Sequence, residues 1–284
     1  MKKHKLVMAT VILALGGVSS NSCAMAVESK GSLQIKGSDT MVNLVQAWAE
    51  AFMDENSQVN IAVTGGGSGT GIAALIGGTS DLAACSRRMK PSESEQAVAR
   101  GHVPQEWTVA LDGLAVAVHP SNPIKRMTVQ QLGDLFSGKI RNWQELGGPN
   151  KVVVLLSREI NSGTHVYFKE HVLGEGKEFA PEALLMPSSQ AIADEVSANP
   201  DAVGYYGMGY LNPKNSVVAV AKTAAGPYIA PTIDTVKSGA YPISRPLFIY
   251  SSGEPKGLVK AFIDFTLSPK GQIIVKDTDF VPVK

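Results

Sequence analysis

"VVVLLSREINSGTHVYFKEHVL", residues 152–173, changes its periodicity part-way along. "VVVLLS" is a short apolar run of the kind a buried strand needs, and "SGTHVYFKEHVL" has the spacing of a helix. Between them lie Arg158, Glu159 and the start of a Ser-Gly-Thr, so a strand leads into a helix through a polar, glycine-bearing junction. That unit belongs to α/β folds, whose open sheets bind ligands beyond the carboxyl ends of their strands.

The same alternation extends in both directions. "SLQIKG" (32–37) reads as a strand. "DTMVNLVQAWAEAFMDEN" (39–56) reads as a helix whose stripe is Met41, Leu44, Val45, Trp48 and Phe52. "VNIAVTG", "DLAACS", "GLAVAVHP", "AVGYYG", "SVVAVA" and "PLFIYS" read as further strands. "TGIAALIGG", "TVQQLGDLFSG", "TIDTVKSG" and "PKGLVKAFIDFTLS" read as helices. The predicted fold class is α/β, with mixed, mostly parallel sheets flanked by helices. The chain of 284 residues is too long for one comfortable doubly wound sheet and has no Pro/Ser-rich linker. Two lobes joined by crossing strands, with a cleft between them, satisfy both facts.

Composition sets limits on function. The chain is 44% hydrophobic and 18% charged, enough apolar matter for a real core. Lys2, Lys3 and Lys5 open an N-terminal segment in which "LVMATVILALGGV" is apolar but too short to span a bilayer. "AMA" (24–26) has the small-x-small form of an export cleavage site, predicting a leader over 1–26 cut after Ala26. Lipid attachment at Cys23 is the rival, and "SSNS" before it lacks the usual aliphatic residue. Beyond residue 26 the count is 23 basic against 25 acidic residues, or −2, which favours neither nucleic acid nor an anionic membrane as partner. Cys85 is then alone, excluding an intrachain disulfide, and its small apolar context reads as a core thiol.

Polar residues gather at four junctions: "KGSDTM" (36–41), "TGGGSGTG" (64–71), "CSRRM" (85–89) and "SREINSGT" (157–164). Helix N-termini present unpaired N–H groups to anions, glycine admits a ligand close to the backbone, and arginine offers a planar fork to two oxygens. Each junction also has a plainer reading. Ser38 or Asp39 can be a helix cap, the glycines a turn, Arg87 and Arg88 a solvated pair, and Arg158–Glu159 a surface ion pair. Recurrence of one chemistry at four equivalent places favours an anion clamp. Enzyme signatures fail: there is no phosphate loop, nucleophile elbow or metal-binding histidine spacing. His165, the only histidine near a junction, reads as a ring on the outer face of its helix.

The ordered set "IKGSDTM", "GGGSGTG", "DLAACSRRMK", "FSGKIRNWQELGG", "SREINSGT" and "AVGYYGMGYL" resembles the phosphate-binding proteins of bacterial ABC importers, type II members of the periplasmic binding protein superfamily. The resemblance covers residue 32 to the C-terminus. It implies a Venus-flytrap with lobe 1 over 31–117 plus 243–284 and lobe 2 over 118–242. It further implies a monomeric, non-enzymatic periplasmic receptor, needing no cofactor, that delivers inorganic phosphate to a membrane permease.

By the same resemblance Ser38, Thr40 and the Met41 N–H, Ser68, Ser86 and Arg87 would hold phosphate from lobe 1. Arg158, Ser162, Gly163 and Thr164 would hold it from lobe 2, with Glu159 or a neighbour orienting Arg158. Ser86 departs from relatives that carry an aspartate there to accept the proton of hydrogen phosphate. Asp39 is the candidate to replace it. Another oxyanion (sulfate, molybdate, tungstate or a phosphonate) stays open as ligand, as does a secreted phosphatase or adhesin on this scaffold.

Overall fold

The computed structural model describes residues 30–284. The expectations for the leader, Ala26 and Cys23 lie outside these residues. In chain order the first part comprises β1 (Gly31–Gly37), α1 (Val42–Glu55), β2 (Val59–Thr64), α2 (Ser68–Ile76), β3 (Leu82–Cys85), α3 (Pro91–Ala99) and β4 (Pro104–Val118). The middle comprises β5 (Arg126–Thr128), α4 (Val129–Phe136), β6 (Val154–Arg158), α5 (Gly163–Phe168), β7 (Leu184–Met186), α6 (Ser189–Ala198), β8 (Ala202–Gly207), β9 (Ser216–Ala221) and α7 (Ile233–Lys237). The chain closes with β10 (Ser244–Ser252), α8 (Gly257–Thr266) and α9 (Pro269–Asp277).

The strands run in the order β2-β1-β3-β10-β4-β8-β6-β7, with β9 paired to β4 and β5 to β9. Parallel pairs (β1 with β2 and β3, β6 with β7 and β8) lie away from the middle. The middle is antiparallel, where β10 and β4 pair with each other and with their outer neighbours. The fold is the expected mixed α/β one.

Strand β4 joins the two halves. Residues 104–113 pair with β10, whereas 114–118 pair with β8 and, at 116–118, also with β9. Only its second part, "GLAVAV", reads as a buried strand in the sequence. The first part, "PQEWTVALD", mixes polar with apolar residues and lies partly exposed.

Packing explains the helices. The α1 stripe is buried as its spacing requires, Met41, Leu44 and Trp48 at 0%, Val45 at 1% and Phe52 at 4% exposed. Full burial of a large side chain contributes roughly 1.5–3 kcal/mol. Trp48 also donates its indole N–H to the Gly271 carbonyl at 2.8 Å, pinning α1 to α9. In the other half Phe136, Phe168, Phe179 and Tyr205 form an aromatic cluster, with Phe168 stacked on Tyr205 at 3.8 Å. Among the described residues no helix is long and apolar enough to cross a membrane.

Candidate functional site

The four polar junctions meet. Each follows a strand: Ser38–Met41 follows β1, the glycine turn and Ser68 follow β2, Ser86 follows β3, and Ser162–Thr164 follows β6. From the first half, Ser38 Oγ donates to Ser86 Oγ at 2.8 Å, and Ser86 Oγ lies 3.3 Å from Ser68 Oγ. Ser68 Oγ also accepts the Ser86 N–H at 3.0 Å, so three junctions share one hydroxyl chain.

The fourth junction closes over this chain. Thr164 Oγ1 lies 2.6 Å from Thr40 Oγ1, and the Asn161 carbonyl accepts the Gly69 N–H at 3.0 Å. Asn161 Nδ2 donates to the Gly66 carbonyl at 2.9 Å. Two glycines make the approach possible. Gly67 has φ +95°, and a Cβ there would lie 2.7 Å from the Asn161 carbonyl oxygen. A Cβ on Gly163 would collide with Ser68 Oγ and sit 2.7 Å from Ser86 Oγ. Ser38, Thr40, Met41, Ser68, Ser86, Ser162 and Thr164 are all buried. Ser162 caps α5, accepting the N–H groups of Thr164 at 3.2 Å and His165 at 3.4 Å.

Arg158 is 1% exposed, not a surface residue. Its partner is Asp39, Nη2 to Oδ2 at 3.0 Å, while Glu159 is exposed. The fork is fixed further by Ser189 Oγ at 3.0 Å and the Pro187 carbonyl at 2.9 Å. Burial lowers the pKa of the guanidinium, and the charge of Asp39 opposes that effect. Asp39 Oδ2 also accepts the Ser189 N–H at 3.1 Å. The carboxylate put forward as a proton acceptor is therefore turned onto an arginine and a backbone amide. Neither Ser38 nor Asp39 caps its own helix through its side chain; Asp39 instead serves the first N–H of α6, at Ser189.

Arg87 and Arg88 are not a solvated pair. Arg88 is exposed, but Arg87 is 8% exposed and grips Glu93 with both ends of its fork, at 2.8 and 2.7 Å. Its Nε has no partner. His165 does not lie on an outer face: the ring is buried, 4.5 Å from the Phe179 ring and 3.3 Å from Ser157 Oγ, and burial lowers its pKa. Cys85 is a fully buried thiol whose pKa burial pushes far up. No group of acidic, histidine or cysteine side chains that could hold a metal occurs among the described residues.

Sequence reasoning missed Asp112 and Arg245, both buried next to Thr164. Arg245 donates through Nε and Nη2 to Asp112 Oδ2 at 3.1 and 2.9 Å, and through Nη2 to Thr164 Oγ1 at 2.9 Å.

This arrangement is a buried, donor-rich seam between two α/β halves. A model described as "PBP superfamily domain" matches residues 25–270. Over 309 residues the chain is 32% identical to the phosphate-binding protein PstS of Pseudomonas aeruginosa PAO1, covering 99% of this chain and 95% of that one. The chain belongs to this superfamily and, within it, to the PstS family. The family member of Bacillus subtilis 168, also named phosphate-binding protein PstS, is 34% identical over 298 residues, 100% of this chain and 95% of its own. A solved family structure from Clostridium perfringens, titled a phosphate ABC transporter substrate-binding protein with bound phosphate, superposes with a TM-score of 0.82. It is 34% identical and covers 89% of this chain and 100% of that one.

Proposed function

We propose that this protein captures inorganic phosphate in the cleft between its two halves and passes it to the membrane permease of an ABC importer. The observation that carries the reading is the meeting of four Ser/Thr/Gly junctions, from strands far apart in sequence, in one buried cluster of hydroxyl and N–H groups, with Arg158 tied to the first of them through Asp39. An oxyanion accepts hydrogen bonds and gives few, so it matches a site made of donors. The names of the Pseudomonas and Bacillus relatives and the phosphate bound in the Clostridium structure supply the ligand. These relatives are binding proteins, and the reading requires neither catalysis nor a cofactor.

The proposed contacts are Thr40, the Met41 N–H, Ser68 and Ser86 from one lobe, and Arg158, Ser162 and the N–H groups of Gly163 and Thr164 from the other. Ser38 supports Ser86, and Arg87, held by Glu93, has its unpartnered Nε as the group left to offer the anion. Asp39 aims Arg158. The proposed lobes are 31–117 plus 243–284, and 118–242. The receptor works as a monomer in the periplasm after removal of a leader at Ala26.

A second reading, a less selective oxyanion receptor, is favoured by the partners of Asp39. With Ser86 a hydroxyl and Asp39 committed to Arg158, no carboxylate named in the proposed contact shell is free to demand a protonated ligand. Calorimetric titration of the phosphate-stripped mature protein with phosphate and then sulfate separates the readings. Tight one-to-one binding of phosphate alone supports the first and equal binding of both anions the second, whereas no heat from either refutes both.

A further inference from the structure

We propose that Arg245, anchored by Asp112, is a positioning residue of the phosphate site: it holds the Thr164 hydroxyl with its hydrogen turned toward the oxyanion. The inference rests on the phosphate-receptor reading of the cleft and adds a residue in contact with none of the ligand's atoms.

Asp112 and Arg245 face each other in register on β4 and β10, where β4 passes from one set of partners to the other. They are 0% and 2% exposed. Asp112 Oδ2 takes both Arg245 donors, and Oδ1 accepts the Met208 N–H at 3.0 Å, from the end of β8. The Arg245 guanidinium thus cannot swing: two nitrogens are fixed by the carboxylate, and the Tyr167 ring lies 5.4 Å away. The remaining contact is with Thr164 Oγ1 at 2.9 Å, and Nη1 has no partner at all.

A buried ion pair is a poor means of gaining stability, because desolvating both charges offsets most of their attraction. Its placement suits another task. A hydroxyl has one hydrogen and two lone pairs, so a charged N–H spending one lone pair of Thr164 Oγ1 favours the orientation in which that oxygen donates elsewhere. Charge-assisted donation also polarises the O–H, making it a stronger donor in a site screened from water. Thr164 Oγ1 lies 2.6 Å from Thr40 Oγ1, a pair in which either hydroxyl can donate, so with its second lone pair taken up by Thr40 the Thr164 hydrogen is left for the ligand where the two halves meet. Removing the guanidinium frees the threonine to turn, and the site loses a prealigned donor where the two halves meet.

The test is a double-mutant cycle on the full mature protein with inorganic phosphate as titrant. Arg245→Gln, Thr164→Val and the double variant are titrated calorimetrically, and their melting temperatures are recorded. Arg245→Gln is expected to weaken phosphate binding about 30-fold when Thr164 is present and less than about threefold in the Thr164→Val background, as contact pairs with coupled roles behave. A lowered melting temperature with equal affinity losses in both backgrounds overturns the proposal, since Arg245 would then only support the fold. Unchanged affinity in Arg245→Gln overturns it too. If the glutamine variant does not fold, Arg245→Lys replaces it in the cycle, because it keeps a charge against Asp112 while losing the fork; the same coupling is required. Wild-type protein that binds no phosphate refutes the receptor reading itself, an outcome distinct from phosphate binding without coupling.

Discussion

Replacing Gly163 by alanine separates closure from folding. Gly163 is the first residue of α5 and has an ordinary negative-φ backbone, so alanine is compatible locally and is the better helix former by about 1 kcal/mol. The obstacle lies wholly across the interface. The added methyl would meet Ser68 Oγ and stand 2.7 Å from Ser86 Oγ and 3.0 Å from Ser68 Cβ. The hydroxyls can rotate, at the cost of the Ser38–Ser86–Ser68 chain. Ser68 Cβ cannot, and ordinary carbon contacts need about 3.5–4.0 Å. The halves must therefore stand off by roughly 0.5–1 Å, which at hydrogen-bond distances removes alignment from several donors at once. The expected loss of phosphate affinity is about 10- to 100-fold, or ~1.4–2.8 kcal/mol, with ligand-free thermal stability unchanged or raised. Isothermal titration and scanning calorimetry on the same preparation read the two quantities. Native affinity in Gly163→Ala would show that the closed contact is no part of binding.

Arg158→Ala removes the arginine among the second lobe's proposed contacts and leaves Asp39 without its ion-pair partner, so phosphate binding should become undetectable by titration at micromolar protein. Arg158→Lys should recover only part of it, because ammonium cannot copy the fork held by Ser189 and Pro187. Glu93 sets a pH dependence: burial raises its pKa, but the hydrogen bonds from Arg87 and the Lys90 N–H and their charges outweigh burial and hold it below 4.5. Its contribution to stability is present above that unfolded-state value and lost as pH falls through the lower folded one, so Glu93→Gln should flatten the acid limb of urea-monitored stability. Cys85 should not react with a thiol reagent at pH 8 in the native protein and should react once in denaturant, since its thiol is both sealed and pushed up in pKa.

Local pattern made much of this molecule legible. The α1 stripe and the run "AVGYYG" were readable because a helix or strand between two apolar layers leaves its period in the sequence. The junction residues were readable because small hydroxyls and glycines recur wherever a backbone must approach a ligand. What escaped depends on contacts between distant segments. Asp112 and Arg245 are 133 residues apart, each alone in an apolar β run where nothing local announces a partner. Asp39 and Arg158 hide in the same way, and Glu159, the neighbour in sequence, points outward. His165 was misplaced because helical spacing does not foretell that Phe179, from a loop fourteen residues on, covers that face. Helix α6, which supplies Ser189 to Arg158, has a weak apolar stripe in a polar stretch and so leaves little period to read.

Strand β4 is shared property: its first ten residues complete one sheet and its last five the other. Neither half can be excised whole, because each would leave with a raw edge where the common strand had been. The two halves are thus one unit in their assembly. Loss of either sheet strips pairing from the other, so denaturation should proceed as a single cooperative event, and a fragment expressed alone should be prone to aggregate.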